Sequence, residues 1–358
     1  MVDERKLPEG WGIKKLSEVA PLQRGFDLPT GKIKKGSYPV VYSNGISNYH
    51  NEFKVKGPGV ITGRSGTIGK VHYSDGNYWP HNTALWVTDF KDNNPRFIYY
   101  LYTYVNLEKF ATGSGVPTLN RNDVHSFEVL VPSCSEQKSI AEALSDTDSL
   151  IQSIEKLIDK KKKIKQGTMQ QLLTGKKRLP GFSGEWVVRR LGDIVSINKG
   201  QLITEKNAQD GTIPVIAGGK KPSYYHSFSN RQGKTITISA SGANAGYVGF
   251  YTEPIFASDC STIGENDRYS IEFIYYQLLM LQETIYYAQT GGAQPHIHPK
   301  DLKPLLVNYT NLKEQKAIAQ VLSDMDAEIE ALEEKLEKYK TIKQGMMQEL
   351  LTGRIRLI

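Results

Sequence analysis

Cysteine is scarce in this sequence, and long apolar runs are missing. Two cysteines, Cys134 and Cys260, among 358 residues are too few for a disulfide framework or a four-ligand zinc site, so we expect a cytoplasmic protein. The nearest candidate for a membrane span, residues 271–281, is shorter than the roughly 20 apolar residues that cross a bilayer and contains charge. The first residues, MVDERKLPEGW, have no apolar core of the signal-peptide type. We therefore expect neither export nor a membrane partner.

Complete catalytic motifs are also missing. The stretch Gly63–Lys70, GRSGTIGK, is similar to a phosphate-binding P-loop, but it has one residue too many between its outer glycines. Val71 also stands where the loop needs Ser or Thr. The cysteines fit no zinc or deaminase spacing, and there is no nucleophile elbow, convincing dinucleotide fingerprint or methyltransferase tetrapeptide. We therefore expect a binding protein that is not an enzyme and has no cofactor of its own.

Two short polar patterns could indicate a metal site. Residues 301–303, Asp-Leu-Lys, have the D-x-K form seen in metal-dependent nucleases, but the first half of the chain lacks the lysine at the matching position. His296 and His298 flank Ile297 and could form a metal pair. Loop histidines are more often solvated or hydrogen-bonded, and tripeptides of this kind arise by chance. We therefore expect no metal site.

The charge balance is basic. The sequence has 45 Lys and Arg against 38 Asp and Glu, a formal net charge of +7. Such a balance is compatible with nucleic acid, an acidic membrane surface or an acidic partner, and many basic proteins bind none of these. Charge alone therefore does not decide the partner.

The strongest feature of the sequence is an internal repeat. Residues 136–175 recur without a gap at 314–353, at a constant offset of 178 residues. Weaker matches extend the repeat upstream, where the tetrapeptide Phe-Ile-Tyr-Tyr at 97–100 returns at 273–276. The chain is thus two copies of one unit, each a variable region followed by a repeated segment.

The repeated segments have the spacing of a coiled coil. Apolar residues recur at alternating intervals of four and three, as at the a and d positions of a heptad. The predicted seam residues are Ile140, Leu144, Ile151, Ile154 and Ile158 in the first copy and Ile318, Leu322, Met325, Ile329, Leu332 and Leu336 in the second. Because a lone helix with one apolar stripe is poorly stable, each helix is predicted to pair with the other.

The connections predict how the helices run. The first helix ends near Gly175, close to the start of the second variable region at Trp186, and that region ends near Asn311, close to the second helix. If the region is compact, the helices must run antiparallel. Mixed strand and helix patterns in the variable regions predict an α+β fold. The sequence therefore predicts two pseudo-symmetric α+β domains at opposite ends of an antiparallel coiled coil of two long helices.

The variable regions offer residues suited to nucleic-acid contact. Arg and Lys can bind guanine edges or phosphates, and Asn and Gln can bind adenine with two hydrogen bonds. Such residues, with Tyr, Ser and His, lie in Gly-rich segments. The candidate DNA-binding residues are Asn44, Arg64, Ser65, Lys70, Asn120 and Arg121 in the first half and Lys220, Lys221, Tyr224, Tyr225, His226, Arg231, Asn244, Gln294 and His296 in the second.

The repeated motifs resemble those of a known family. The order of a variable region, EQKxIA, LSDxDxxI and KQGxMQxLLTG, followed by a second variable region and the same helix, resembles the specificity subunit of type I restriction-modification enzymes. The resemblance covers Leu7–Leu357. It is specific in the helices and weakly diagnostic in the variable regions.

The resemblance implies a DNA-binding subunit without an active site. Residues 1–135 and 179–313 would be target recognition domains, each reading one half of a bipartite, asymmetric site in double-stranded DNA. Residues 136–178 and 314–358 would form the spacer helices. These would also dock two modification subunits, which methylate adenine with S-adenosylmethionine, while restriction subunits driven by ATP would cleave unmodified DNA. S-adenosylmethionine, ATP and magnesium are thus expected in partners only.

Two alternatives remain at this point. One is a coiled-coil scaffold whose paired domains bind protein or carbohydrate, which would show no salt-sensitive, sequence-selective DNA binding. The other is a self-sufficient nuclease that uses Asp301 and Lys303.

Overall fold

Two units make up the structure, each combining one variable region with parts of both long helices. The computed structural model describes residues 7–113, 115–291 and 294–357. The first unit runs up to Glu155 and takes in the chain from Glu334 onward, and the second unit is Lys156–Glu333.

The first variable region consists of short strands and helices that lead into a long helix. In chain order they are β1 (Gly12–Lys15), α1 (Leu16–Val19), β2 (Leu22–Arg24), β3 (Tyr38–Tyr42), β4 (Gly45–His50), β5 (Gly59–Gly63), β6 (Val71–Ser74), β7 (Trp79–Pro80), β8 (Ala84–Val87), α2 (Pro95–Tyr104), β9 (Ala111–Thr112), β10 (Thr118–Leu119), α3 (Arg121–His125), β11 (Glu128–Val131) and the long helix α4 (Cys134–Leu172).

The second variable region follows the same plan. Its elements are β12 (Val187–Arg190), α5 (Leu191–Ile194), β13 (Asn198–Lys199), β14 (Ile213–Ile216), β15 (Tyr224–His226), β16 (Thr235–Ser239), β17 (Val248–Tyr251), β18 (Phe256–Ala257), β19 (Cys260–Gly264), α6 (Ile271–Met280), α7 (Gln282–Tyr287), α8 (Pro299–Leu302), β20 (Leu306–Tyr309) and the long helix α9 (Leu312–Leu350). Turns of 3₁₀ helix lie at Thr30–Lys32, Leu107–Phe110 and Glu205–Asn207.

The two regions share one sheet topology. A four-stranded sheet has the order β2-β8-β5-β6 in the first region and β13-β19-β16-β17 in the second, and a three-stranded sheet has the orders β4-β3-β7 and β15-β14-β18. A terminal ribbon pairs β1 with β11 and, equivalently, β12 with β20. The predicted α+β class and the internal repeat are therefore confirmed, and the repeat extends to every one of these strand pairings.

Sequence patterns explain the inner strands. Both β5, GVITG, and β16, TITIS, are buried along their whole length. Their β-branched side chains suit a pleated surface that is covered on both faces. Each strand has antiparallel partners on both sides, β6 and β8 for β5 and β17 and β19 for β16.

Close backbone approach explains one repeated glycine. A Cβ atom at Gly25 would lie 2.2 Å from the His81 carbonyl oxygen, and one at Gly200 would lie 2.1 Å from the Ser258 carbonyl oxygen. Any side chain there would push the strand connections apart. The glycine is thus a packing requirement in both regions.

The long helices end just before the repeated Thr-Gly. Gly175 and Gly353 have φ of +68° and +71°, the left-handed conformation that glycine adopts at low cost after a helix. An added Cβ would lie 2.9 Å from the Trp186 ring at Gly175 and 3.2 Å from the Trp11 ring at Gly353. The repeated tryptophans therefore close the helix ends by packing.

Within each unit the helix segments run antiparallel. In the first unit Lys343 pairs with Asp148 and Lys340 with Glu155, so the numbers fall along α9 as they rise along α4. In the second unit Lys161 pairs with Glu328, and Lys165 with Asp326.

The predicted seam residues lie on the inner side of these helices. Eight of the eleven are buried, and the other three, all in α9, are half-buried. The buried residues are Ile140, Leu144, Ile151, Ile154, Ile158, Ile318, Leu322 and Ile329. The half-buried residues are Met325, Leu332 and Leu336. Ile140 and Leu144 join the core of the first variable region, as Ile318 and Leu322 join that of the second. A coiled coil that holds the two domains at opposite ends stays a prediction, as do the domain boundaries.

Candidate nucleic-acid interface

Backbone hydrogen bonds gather three loops of the first variable region. We call residues 64–70, 81–83 and 117–120 loop cluster 1. The Arg64 N–H donates to the Thr83 carbonyl at 2.8 Å, the Leu119 N–H to the Arg64 carbonyl at 2.7 Å, and the Gly66 N–H to the Pro117 carbonyl at 3.0 Å. Ser65 also forms a bridge with Thr118.

The second variable region holds its loops with the same bonds. We call residues 240–246, 257–259 and 294–298 loop cluster 2. The Ala240 N–H donates to the Asp259 carbonyl at 3.0 Å, the Ile297 N–H to the Ala240 carbonyl at 2.9 Å, and the Gly242 N–H to the Pro295 carbonyl at 3.1 Å. Ser241 forms a bridge with His296. The two clusters are therefore equivalent in these three backbone hydrogen bonds and in the bridge.

Side chains differ on this shared backbone. Arg64 in cluster 1 is equivalent to Ala240 in cluster 2. The carbonyl of each accepts an N–H from the last loop of its cluster, 117–120 or 294–298, and the N–H of each donates to the middle loop, 81–83 or 257–259. By the same bonds, the equivalent pairs are Arg64 and Ala240, Thr83 and Asp259, and Thr118 and His296. One scaffold thus presents a guanidinium in one half and a carboxylate with an imidazole in the other. These groups prefer different base edges.

Arg64 is suited to a ligand contact. It is half-buried, and the one hydrogen bond that the described residues give its guanidinium is long, 3.5 Å from Nη1 to the Asn82 carbonyl. Because a guanidinium has five N–H donors, most of its bonding capacity remains. Asn44, at the tip of the β3–β4 hairpin, and Lys70, at the end of the β5–β6 loop, are exposed.

The predicted residues at the third loop of cluster 1 have mixed roles. The Asn120 side chain accepts a hydrogen bond from the Asn122 N–H at 3.0 Å and caps α3. Such a cap stabilises the helix start. Arg121 is exposed in the first turn of that helix. Arg121 therefore remains free for contact, while Asn120 has a structural task.

Cluster 2 brings together several predicted residues. The Ser241 hydroxyl donates to the Asp259 carboxylate, and the rings of His296 and His298 stack with centroids 6.2 Å apart. Gln294 is exposed, and Asn244 is half-buried in the turn where its carbonyl accepts the Tyr247 N–H at 2.9 Å.

Two exposed lysines precede this cluster in the chain. Lys220 and Lys221 follow β14, and the Lys220 Nζ lies 5.6 Å from the centre of the Tyr247 ring. Tyr247 follows the turn at Asn244 in cluster 2, so this contact brings the lysine loop to the cluster.

Tyr224 and Tyr225 lie on β15, outside cluster 2. The Tyr224 hydroxyl donates to the Ile203 carbonyl at 2.6 Å, and burial raises the pKa of this tyrosine. Tyr225 is 57% exposed and pairs across the strand with Pro214, as Tyr49 pairs with Pro39 in the first region. Tyr49, which is 55% exposed, is an equivalent aromatic residue that the sequence reasoning missed.

His226 and Arg231 are packed inside the domain. His226 is 1% exposed, its Nδ1 accepts the Gln209 N–H at 3.0 Å, and its ring packs on Phe256. Arg231 donates to the Thr262 hydroxyl and to two backbone carbonyls, at 2.8–3.0 Å. These two side chains already have structural partners, and we leave both out of the proposed interface.

Thr83 and Asp259 are additional members of the clusters that residue type did not single out. Each lies just before an inner strand, β8 or β19, where a short polar residue in a loop is common. Their hydrogen bonds, above all those from the Arg64 and Ala240 N–H groups, show that they belong to the clusters.

The polar patterns considered for catalysis have other contacts. The Asp301 carboxylate accepts the His298 N–H at 2.9 Å and caps α8. Among the residues that the structure describes, no group of three or more His, Cys, Asp or Glu side chains is placed to hold a metal ion. None of the helices in the same ranges has the length and apolarity to cross a bilayer.

Comparison with known proteins settles the family. Residues 8–166 and 183–341 each match the type I restriction modification DNA specificity domain. The chain belongs to this family. The two matches correspond to the two halves of the internal repeat, so the predicted relationship to type I specificity subunits is confirmed.

Relatives of this specificity subunit span nearly its full length. It is 24% identical to the putative type I restriction enzyme MjaX specificity subunit of Methanocaldococcus jannaschii, over 98% of this chain and 95% of that one. It is 22% identical to a putative type I specificity subunit of Mycoplasma pneumoniae, over 95% and 96%. The crystal structure of a type I S subunit from M. genitalium shares the fold with a TM-score of 0.74 at 18% identity, covering 98% of both chains.

The repeated glutamates of the specificity subunit form buried ion pairs. Glu136, at the start of α4, accepts two hydrogen bonds from Arg356 at 2.6 and 2.8 Å and one from the Trp11 indole at 3.0 Å. Glu314, at the start of α9, accepts two from Arg178 at 2.5 and 2.7 Å and one from the Thr310 hydroxyl at 2.7 Å. The arginine thus ties the segment after one long helix to the start of the other.

Proposed function

We propose that this specificity subunit reads a bipartite, asymmetric site in double-stranded DNA, with one half-site for each target recognition domain. Residues 1–135 and 179–313 are the proposed domains, and loop clusters 1 and 2 are the proposed reading surfaces. The proposal rests chiefly on the equivalent backbone bonds and different side chains of the two clusters. A shared scaffold supports the same approach to DNA, and different side chains support different bases.

Exposed cations near both clusters support DNA as the ligand. Lys70 and Arg121 are exposed in the first domain, and Lys220 and Lys221 in the second. Cations of this kind bind phosphates without regard to sequence and make affinity fall with salt. Base edges in the major groove would then be read by Arg64 in the first domain and by Asp259 and His296 in the second.

The long helices have a proposed spacing and docking role. Residues 136–178 and 314–358 would form an antiparallel coiled coil that holds the recognition domains at opposite ends. We propose that it also docks two modification subunits, which carry S-adenosylmethionine. Restriction subunits with ATP and magnesium would join this assembly in the cytoplasm. The specificity subunit itself would carry no catalytic residue.

Methylation mapping tests the reading surfaces. DNA would be mapped from cells that express this chain or a variant with its modification partner. Arg64→Ala should relax one base of a single half-site, with about 10- to 100-fold less discrimination there, because a bidentate guanine contact contributes about 1–3 kcal/mol. The other half-site should stay unchanged.

Arg268→Ala is a matched control. Arg268 is exposed in the second unit, outside both clusters, and its guanidinium and backbone N–H bind Asn266. This variant should leave both half-sites intact. An unchanged motif in the Arg64 variant, with methylation retained, would remove Arg64 from the reading surface.

A further inference from the structure

A tyrosine, an aspartate and a lysine meet in each unit, away from the loop clusters. In the first unit the Tyr100 hydroxyl donates to Asp148 Oδ2 at 2.7 Å, and Lys343 Nζ lies 2.5 Å from Asp148 Oδ1. In the second unit the Tyr276 hydroxyl donates to Asp326 Oδ2 at 2.8 Å, and Lys165 pairs with Asp326 Oδ1. We call these the Tyr–Asp–Lys clusters.

Each cluster joins three helices. Tyr100 belongs to α2 of the recognition domain, Asp148 to α4 and Lys343 to α9. In the second unit the tyrosine belongs to α6, the aspartate to α9 and the lysine to α4. One carboxylate therefore ties a recognition domain to both long helices.

The contacts within the clusters are well enclosed. Tyr100 and Tyr276 are 1% and 3% exposed, and the lysine side chains 21% for Lys343 and 17% for Lys165. Burial raises the pKa of both tyrosines, so each hydroxyl keeps its proton and remains a donor. The lysine nitrogens also lie 5.7 and 5.3 Å from the tyrosine ring centres, within the range of a cation–π contact.

A second attachment point fixes the same domain helix. The Asn94 N–H, at the N-cap of α2, donates to Gln137 Oε1 at 2.9 Å. The Ser270 N–H, at the N-cap of α6, donates to Gln315 Oε1 at 3.0 Å. Two contacts on one helix, at its start and in its second turn, define its direction on the long helix as well as its position.

We propose that the Tyr–Asp–Lys clusters are positioning groups that fix the angle of each recognition domain on the helix pair. A fixed angle restricts the complex with the modification subunits to one spacer length, which is the number of base pairs between the two half-sites. The inference rests on the proposed function, in which the helices set the distance between half-sites. The residues touch no base in this scheme, so they act on spacing without changing the half-site sequences.

The test removes the hydroxyl and keeps the ring. The double variant Tyr100→Phe with Tyr276→Phe would be assembled with its modification partner and compared with the unaltered complex. Methylation rates would be measured on duplexes that have both half-sites and the mapped spacer, or one base pair more or fewer. We expect selectivity for the mapped spacer to fall about tenfold, with the half-site sequences unchanged.

The neighbouring tyrosines provide a matched control. Tyr99 and Tyr275 precede the cluster tyrosines and are half-buried. The Tyr99 ring meets the Tyr73 ring edge to face, and the Tyr275 ring stacks on Phe250. The double variant Tyr99→Phe with Tyr275→Phe should keep full spacer selectivity. Asp148→Asn with Asp326→Asn is the second cluster variant and should behave like the cluster tyrosine variant. If the cluster tyrosine variant does not assemble with the modification partner, the spacer selectivity of the aspartate variant tests the proposal.

Spacer selectivity separates this inference from the proposed function. A complex of the unaltered chain that methylates all spacers equally would contradict the proposed function. If both cluster variants keep the spacer selectivity of the unaltered chain, the positioning role is overturned and the proposed function is not. An equal loss in the Tyr99 and Tyr275 control would also overturn it, because the effect would then belong to the whole helix surface.

Discussion

At the residue scale, the buried glutamate–arginine pairs should make the folding stability of the chain depend on pH. Burial raises the pKa of the Glu136 carboxyl, but Arg356 and the Trp11 indole outweigh it and hold the pKa below the ordinary value of 4.5. Burial, Arg178 and Thr310 act in the same way on Glu314. A lowered pKa in the folded state contributes stability above the ordinary pKa. That stability is lost as pH falls through the folded-state pKa.

Glu136→Gln tests this dependence. Removing the Glu136 carboxylate leaves the Arg356 guanidinium without its partner, which destabilises the fold. Because Arg356 keeps 24% of its side chain exposed, water offsets part of this loss. Urea unfolding of the full chain would be measured at pH 7 and in acid, below the ordinary glutamate pKa of 4.5. The loss in the free energy of unfolding should be larger at pH 7 than in acid. Glu142→Gln, at a carboxylate that is 64% exposed, is the control and should change little. A loss that is equal at both pH values would contradict the pair's role.

Residue type alone predicted only part of the candidate interface. Arg64 was predicted because a basic residue in a Gly-rich loop is a common DNA contact. Thr83 and Asp259 gave no signal, since the bonds that place them join residues 19 positions apart in the chain. His226 and Arg231 were expected at the interface, but a sequence does not show whether a polar side chain is turned inward.

At the element scale, the lysine run of α4 should contribute little to DNA binding. Lys161, Lys162 and Lys163 pair with Glu328, Glu333 and Asp159 at 2.5, 2.6 and 2.7 Å. Lys162→Ala with Lys163→Ala should leave the salt dependence of DNA binding unchanged and cost at most about 1 kcal/mol per exposed pair. Titration of the assembled complex with DNA at several salt concentrations measures this.

The lysines near loop cluster 2 offer the opposite expectation. Lys220→Ala with Lys221→Ala should reduce the slope of log K against log salt by about one for each lost phosphate contact. An equal reduction in the Lys162 and Lys163 variant would instead place the α4 helix face on the DNA.

Helices were more predictable than strand pairings. The repeat at 136–175 locates α4, which spans Cys134–Leu172, because heptad spacing and the Thr-Gly stop are local signals. The ribbon of β1 and β11 pairs Gly12 with Val131, and no local pattern specifies a partner so distant in the chain. The second copy did not help, because a repeat shows that two folds are alike without showing what either one is.

At the scale of the whole molecule, the proposed coiled coil should act as a ruler. Deleting one heptad at equivalent places, residues 152–158 in α4 and 330–336 in α9, keeps the a and d register of both helices. Seven residues of helix span about 10 Å, and successive base pairs are about 3.4 Å apart. If the helix pair lies along the duplex, the mapped spacer should shorten by about three base pairs, with both half-sites unchanged.

Deleting residues 152–158 from α4 alone is the control for this experiment. The helices would then differ in length by seven residues, so the ion pairs of at least one unit, such as Lys343 with Asp148 or Lys165 with Asp326, could not form in register. We expect this variant to lose assembly with the modification subunits, whereas the double deletion keeps it. If the complex with the doubly deleted chain still methylates sites with the original spacer, the helices do not set the spacer length. The two proposed reading surfaces would be unaffected by this result, because they depend on contacts inside each recognition domain.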